Sequence, residues 1–185
     1  MIETKVAKRY AKSLIDLSNE KGIMDAVNED MKMFTKTCEE NRDLALMLTN
    51  PIIQSDKKLN VLQSLFGSRV NKMTMTFFEI VIRKGREKYL VQIAKEFINQ
   101  YKALKKILTA EVISAVGLDD KLRKQIYDLL RNDSNSEIEL VEKVDKTLIG
   151  GFVLRIGDTQ YDASIASNIR KLKQAFSSNA YVQKN

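Results

Sequence analysis

Apolar residues recur every three or four positions from residue 4 to about residue 106, and every second position after residue 107. The first spacing predicts amphipathic helices and the second predicts strands with one buried face. Residues 4–20 read as a helix through Val6, Tyr10, Leu14 and Leu17, with Ala7 and Ala11 widening its face, and Gly22 ends it. A second helix over about 23–39 buries Ile23, Val27, Met31, Phe34 and Cys38. Asn41 is the expected cap of a short third helix with Leu44, Leu46, Met47 and Leu48. Asn50-Pro51 closes it, because the residue before proline is pushed out of the helical region. Ser55 is the expected cap of a fourth helix through Leu59, Leu62, Leu65 and Phe66, with Lys58 where a capping-box acid would stand. Residues 71–83 are expected to turn Met73, Phe77, Ile80 and Val81 inward. A basic turn, Arg83-Lys84-Gly85-Arg86, leads to a helix over about 87–106 through Leu90, Ile93, Phe97, Tyr101 and Leu104. Six helices with short connections predict a bundle of antiparallel neighbours.

Beyond residue 107, Leu108, Ala110, Val112, Ser114 and Val116 form one face of a strand that Gly117 closes. Asp119 or Asp120 begins a helix through Leu122, Ile126, Leu129 and Leu130, and a polar loop covers residues 132–136. Ile138, Leu140 and Val144 mark another strand. Phe152, Leu154 and Ile156 mark a third, which Gly157-Asp158 turns into Thr159-Gln160-Tyr161 as a hairpin. A last helix starts near Asp162 to Ser164, with Ile165, Ile169, Leu172 and Phe176 expected on its buried side. The order β-α-β-β-β-α predicts a two-layer module. The fold class is therefore α+β and mostly helical. A six-helix bundle occupies residues 1–106, a small domain with a short mixed sheet and two helices occupies 107–178, and a flexible tail spans 179–185.

Composition narrows the chemistry. The chain has 185 residues, no histidine and one cysteine, which excludes imidazole catalysis, histidine-ligated metals and an internal disulfide. No cluster with calcium-loop spacing occurs. No apolar run approaches the roughly 18 residues of a membrane helix, and no basic-then-apolar leader opens the sequence. The net charge of +7 lies in the front half: residues 52–108 hold 12 Lys/Arg against 4 Asp/Glu. This basic stretch faces an anionic partner or is a solubilising surface. An RNA-binding or ribosome-associated helical protein is the competing reading it raises.

No candidate motif carries catalysis. Gly150-Gly151 precedes a strand, whereas a dinucleotide fingerprint follows one, so close backbone approach or a glycine-only backbone angle explains the pair. Gly157, Asp158 and Asp162 fit turn and cap positions, and Asp145 lies in the loop before the glycines. Lys84-Gly85-Arg86 is a tight turn or a phosphate contact. Phe77 and Phe78 point about 100° apart on a helix. Either both fill the core or one faces a groove that receives a partner helix.

Several segments, in order, resemble the delta subunits of bacterial F-type ATP synthases, relatives of the mitochondrial oligomycin-sensitivity-conferring protein. They are Ala7-Lys8-Arg9-Tyr10-Ala11-Lys12-Ser13-Leu14, Asn50-Pro51, Lys57, Leu65-Phe66-Gly67 and Lys84-Gly85-Arg86. Leu148-Ile149-Gly150-Gly151-Phe152, Arg155-Ile156-Gly157-Asp158 and Asp162-Ala163-Ser164-Ile165 follow. The resemblance implies a stator subunit without an active site or cofactor, in a proton- or sodium-driven enzyme. Its front domain would receive the N-terminal helix of an alpha subunit between the first and fifth helices. On this chain the groove candidates are Val6, Tyr10, Leu14, Phe77, Phe78 and Val81. Residues 109–176 would bind the C-terminal region of the b subunit. The expected location is the cytoplasmic face of the bacterial inner membrane, reached through partners and not by lipid insertion.

Overall fold

The computed structural model describes residues 2–119, 122–124, 126–127, 138–145 and 147–178. It is mostly helical with a four-stranded mixed sheet, and divides into compact units Met1–Leu104 and Lys105–Asn185.

The first unit holds α1 (Ile2–Glu20), α2 (Met24–Glu40), α3 (Arg42–Thr49), α4 (Ser55–Phe66) and α5 (Lys72–Arg83). A 3-10 turn (Glu87–Tyr89) and α6 (Leu90–Leu104) complete it. α6 packs against both α1 and α2, and α4 packs against α5. Phe34 sits among aromatic neighbours, its ring centroid 5.5 Å from Phe66 and 4.8 Å from Phe78. Each such fully buried side chain contributes roughly 1.5–3 kcal/mol of transfer free energy. Cys38 is buried here as a small core residue, and burial pushes its thiol up to about 11.

The helix ends have local causes. After α1, the Gly22 amide donates to Asn19 O and the Ile23 amide to Ser18 O, with Gly22 at φ 66°. After α5, Gly85 repeats the pattern at φ 64°, with the Gly85 amide on Ile82 O and the Arg86 amide on Val81 O. Both are left-handed caps that satisfy carbonyls otherwise orphaned at a helix end. The Asn71 side chain accepts the Met73 amide at 3.0 Å and so caps α5. Asp30 of α2 holds the same turn, accepting from the Asn71 amide at 2.8 Å and the Thr74 hydroxyl at 2.6 Å. Two expected caps differ. Asn41 precedes α3 but its amide nitrogen donates back to Thr37 O, and Gln54, not Ser55, occupies the cap position of α4 without a side-chain bond.

In the second unit the sheet order is β2-β1-β3-β4, with β1 Leu108–Ser114, β2 Ile138–Val144, β3 Phe152–Ile156 and β4 Thr159–Asp162. β1 and β2 are parallel, and the other pairs are antiparallel. A parallel pair needs a crossover, and the helical residues 122–124 and 126–127 lie on it. They bring Ile126 and Leu122 onto Ala110, Val112 and Leu154, giving this unit its own core. The opposite face is mixed: Val153 is buried and Ile113 and Val141 are half-buried, while Glu111 pairs with Lys143, and Arg155 Nε donates to Gln160 Oε1 at 3.0 Å. The last helix, α7, spans Ile165–Ser178. Its expected inward residues are not inward: Ile165, Ile169, Leu172 and Phe176 are 44–78% exposed. The helical period gives α7 an apolar stripe, but the described core of this unit is covered by Leu118, Leu122 and Ile126. Expectations for Asp120, Leu129, Leu130, the loop 132–136 and the tail 179–185 lie outside the described residues.

Candidate functional site

The core face of α1 is centred on Ala7, Ala11, Leu14, Ile15 and Ser18, all buried. Val6 and Tyr10 are half-buried at its border, and Leu17 is 42% exposed. α5 is likewise rotated from expectation: Thr74, Phe78, Val81 and Ile82 are buried, Met73 and Phe77 are half-buried, and Ile80 is 49% exposed. Both helices have more apolar positions than one core contact can use, and their surplus meets. Leu17, Lys21 and Ile23 face Asn71, Lys72, Met73, Thr76, Phe77 and Ile80 across a cleft of about 390 Å³. Its floor is apolar, and the charged residues among its lining are the two lysines.

The six groove candidates therefore separate. Phe77 lines the cleft, and Tyr10 meets it edge-on with ring centroids 6.4 Å apart. Val6 lies half-buried one turn before Tyr10. Leu14, Phe78 and Val81 are at most 1% exposed, so they form the packed layer beneath the groove rather than its surface. Phe78 fills the core, and Phe77, half-buried, packs against that core while lining the cleft.

The Lys84-Gly85-Arg86 segment is a structural turn, and its arginine bears on the groove. Arg86 Nη1 donates to the Tyr10 hydroxyl at 2.6 Å, and Arg86 Cζ lies 5.3 Å from the same ring centre. One residue on, Glu87 accepts from Lys58 Nζ at 2.9 Å. Lys58 is 1% exposed and also donates to Leu48 O at 3.1 Å. Sequence reasoning missed this pair. The available signal was a lysine four residues before Leu62 in the buried row that continues to Phe66, where a solvated charge does not belong.

The glycine and aspartate candidates of the second unit are structural. Gly151 has φ 78°, and a Cβ there would collide with the Ala163 carbonyl and lie 2.9 Å from Ser164 Cα. At Gly150 a Cβ would sit 2.6 Å from Ile165 Cδ1. Gly157 at φ 55° and Asp158 form the two-residue link between β3 and β4. Asp162 Oδ1 accepts the Ser164 amide at 2.9 Å, and hydrogen bonds from the Ser164 hydroxyl and amide hold its carboxyl below the ordinary value. Thr147 does the same for Asp145 through its hydroxyl at 2.7 Å and its amide at 2.9 Å. Asp162 closes a turn, and Ser164, whose hydroxyl accepts the Ser167 amide at 3.2 Å, caps α7. Among the described residues no group of three or more His, Cys, Asp or Glu could hold a metal, and no helix is long and apolar enough to cross a membrane.

The described residues thus present an apolar cleft on one unit and an exposed helix on the other, with no catalytic arrangement among them. The chain belongs to the ATP synthase delta (OSCP) subunit family, whose model matches residues 6–176. It is 38% identical over 176 residues to an ATP synthase subunit delta of Cytophaga hutchinsonii, covering 95% of this chain and 96% of that protein. It is also 38% identical over 181 residues to the subunit delta of Christiangramia forsetii, covering 98% of each. The fold matches a chain in the cryo-EM structure of the Toxoplasma gondii mitochondrial ATP synthase hexamer at TM-score 0.71 and 18% identity. That match covers 94% of this chain and 98% of the other. The chain is thus a non-catalytic peripheral-stalk subunit of an F-type ATP synthase, and the RNA-binding reading has no support.

Proposed function

We propose that the chain ties the catalytic head of the synthase to its b-subunit stalk and so resists the torque of the rotor. Residues 1–106 act as a six-helix docking domain whose α1–α5 cleft takes the N-terminal helix of an alpha subunit. Residues 107–178 bind the C-terminal region of the b subunit. Val6, Tyr10 and Phe77 supply contacts, and Leu14, Phe78 and Val81 hold the two helices at the spacing the groove needs. The assembly works at the cytoplasmic face of the bacterial inner membrane, which the chain reaches through its partners.

One observation carries this reading: two neighbouring helices keep Leu17 and Ile80 more than 40% exposed on either side of one apolar cleft. Burying such a groove under a partner helix recovers transfer free energy and slows dissociation, as a connection under load requires. Titrating the protein with a synthetic alpha N-terminal peptide tests it. Phe77→Ala should stay folded and lose about 30-fold in affinity, the scale of an aromatic interface anchor. Phe78→Ala should instead unfold more easily, by about 3–5 kcal/mol. Unchanged affinity in a folded Phe77→Ala protein would remove the cleft from the head interface.

A further inference from the structure

Tyr10 at the border of the cleft is held by a residue from outside its own helix, and that residue is held in turn. Arg86 closes the left-handed turn after α5 and opens the 3-10 turn Glu87–Tyr89. Its carbonyl accepts the Tyr89 amide at 3.0 Å, so the backbone at Arg86 is fixed only as well as that turn is. A 3-10 turn has poorer hydrogen-bond geometry than an α-helix and holds its shape weakly by itself. Here a side chain anchors it. Glu87 Oε1 accepts from Lys58 Nζ at 2.9 Å, and Lys58 also donates to Leu48 O at 3.1 Å in the last turn of α3. The contacts run in series: from the end of α3 through Lys58 of α4 to Glu87, then Arg86, Tyr10 and Phe77.

Stability alone does not account for a lysine at this place. Lys58 is 1% exposed, and Glu87 Oε2 is buried with no hydrogen-bond partner among the described residues. Replacing a buried ion pair by apolar side chains of similar volume is commonly neutral or stabilising, the more so when one oxygen is left unbonded. What the charged pair supplies is direction. Hydrogen-bond length and angle fix where Glu87 stands, whereas two apolar side chains can slide past each other. The next link is sensitive to that position. Arg86 Nη1 reaches the Tyr10 hydroxyl at 2.6 Å. A shift of the turn by about 1 Å would carry the bond beyond hydrogen-bond range.

We propose that Lys58 and Glu87 are positioning residues for the docking cleft. They set the turn that aims Arg86, and through Arg86 they fix the Tyr10 ring before a partner helix arrives. The proposal rests on the reading of the α1–α5 cleft as the seat of the alpha N-terminal helix, and it adds two residues that line no part of that cleft.

The test measures affinity for a synthetic alpha N-terminal peptide and stability in urea, both on the full-length protein. The variants are Lys58→Met/Glu87→Leu, Arg86→Ala, the three changes combined, Glu87→Asp and Phe77→Ala. The double replacement should keep most of the parental stability and lose about five- to tenfold in affinity. Added to Arg86→Ala, it should lower affinity by less than about twofold more, because the arginine it acts through is already gone. Glu87→Asp keeps both charges but shortens the reach by one methylene. It should fold and lose about threefold, which makes the test independent of whether the double replacement folds. Parental affinity in the folded double replacement or in Glu87→Asp would overturn the proposal. An equal affinity loss with and without Arg86 would overturn it too, since the pair would then not act through that residue. In both cases the cleft reading stands if Phe77→Ala still loses binding. Full binding by folded Phe77→Ala, or no binding by the parent protein, would overturn the cleft reading and the proposal together.

Discussion

Arg86 grips Tyr10 in two ways at once, donating from Nη1 to its hydroxyl at 2.6 Å while Cζ stands 5.3 Å from the ring centre. The two residues are 76 positions apart, and their contact ties the turn after α5 to the middle of α1. It also fixes the tyrosine whose ring meets Phe77 at the edge of the cleft.

Arg86→Ala should therefore act on both stability and docking. Losing a charge-assisted hydrogen bond and a cation–π contact at a half-buried site costs about 1–2 kcal/mol. Urea denaturation should show that loss, and alpha-peptide affinity should fall because Tyr10 is no longer held. Arg86→Lys keeps the charge but not the planar fork, and should recover only part of either effect. A variant with parental stability and affinity would show that the contact does no positioning.

The Lys58–Glu87 pair makes a sharper prediction. Glu87→Ala leaves an ammonium buried beside the Leu48 carbonyl, and stranding a buried charge costs about 3–5 kcal/mol. The double replacement Lys58→Met/Glu87→Leu removes both charges and should restore most of the lost stability. A double-mutant cycle by chemical denaturation reads the coupling directly. Additive single effects would mean that the two groups do not depend on each other.

Gly151→Ala should damage the second unit far more than Gly150→Ala. The first substitution forces a side chain into the left-handed region and against backbone atoms of residues 163 and 164. The second meets only the end of the Ile165 side chain, which can turn aside. Strain of the first kind costs about 1–3 kcal/mol before any steric clash is added. Hydrogen exchange of β3 and β4 amides should report the difference, with those of α2 and α6 unchanged.

Acid should weaken the turn at Asp162. Its folded carboxyl is held below the ordinary value of 3.8 by hydrogen bonds from Ser164. A lowered folded value means that stabilisation is present above pH 3.8 and is lost as pH falls through the folded value. Asp162→Asn should therefore flatten that part of the acid unfolding curve followed by amide exchange at Ser164. An unchanged curve would show that the bond is not linked to folding.

Much of this was legible in the sequence, and the misses share a cause. Periodicity reports that an apolar stripe exists; it does not report which edge of a wide stripe meets the core. On α1 the alanines and Ser18 take the core, because small residues let α6 approach, and Leu17 is left outside. On α5 the core takes Phe78 and Val81 while Met73, Phe77 and Ile80 are displaced toward the cleft. Leu65, expected on the apolar face of the fourth helix, is 44% exposed for the same reason. The stripe of α7 was expected inside because helical spacing reports an apolar stripe and not what covers it. For Lys58 the helical row announces a buried position, but not its partner, which lies 29 positions away. The hairpin at Gly157-Asp158 and the left-handed turn at Gly85 were legible because glycine's backbone freedom is itself local.

The central claim is that one chain joins two partners that do not otherwise hold together. Sedimentation velocity of F1 head lacking this subunit, mixed with the soluble b stalk, tests it most directly. Head and stalk should sediment separately without the protein and as one ternary species once it is added in equimolar amount. Head and stalk that associate equally well without it, or a protein that binds either one only by excluding the other, would contradict the account.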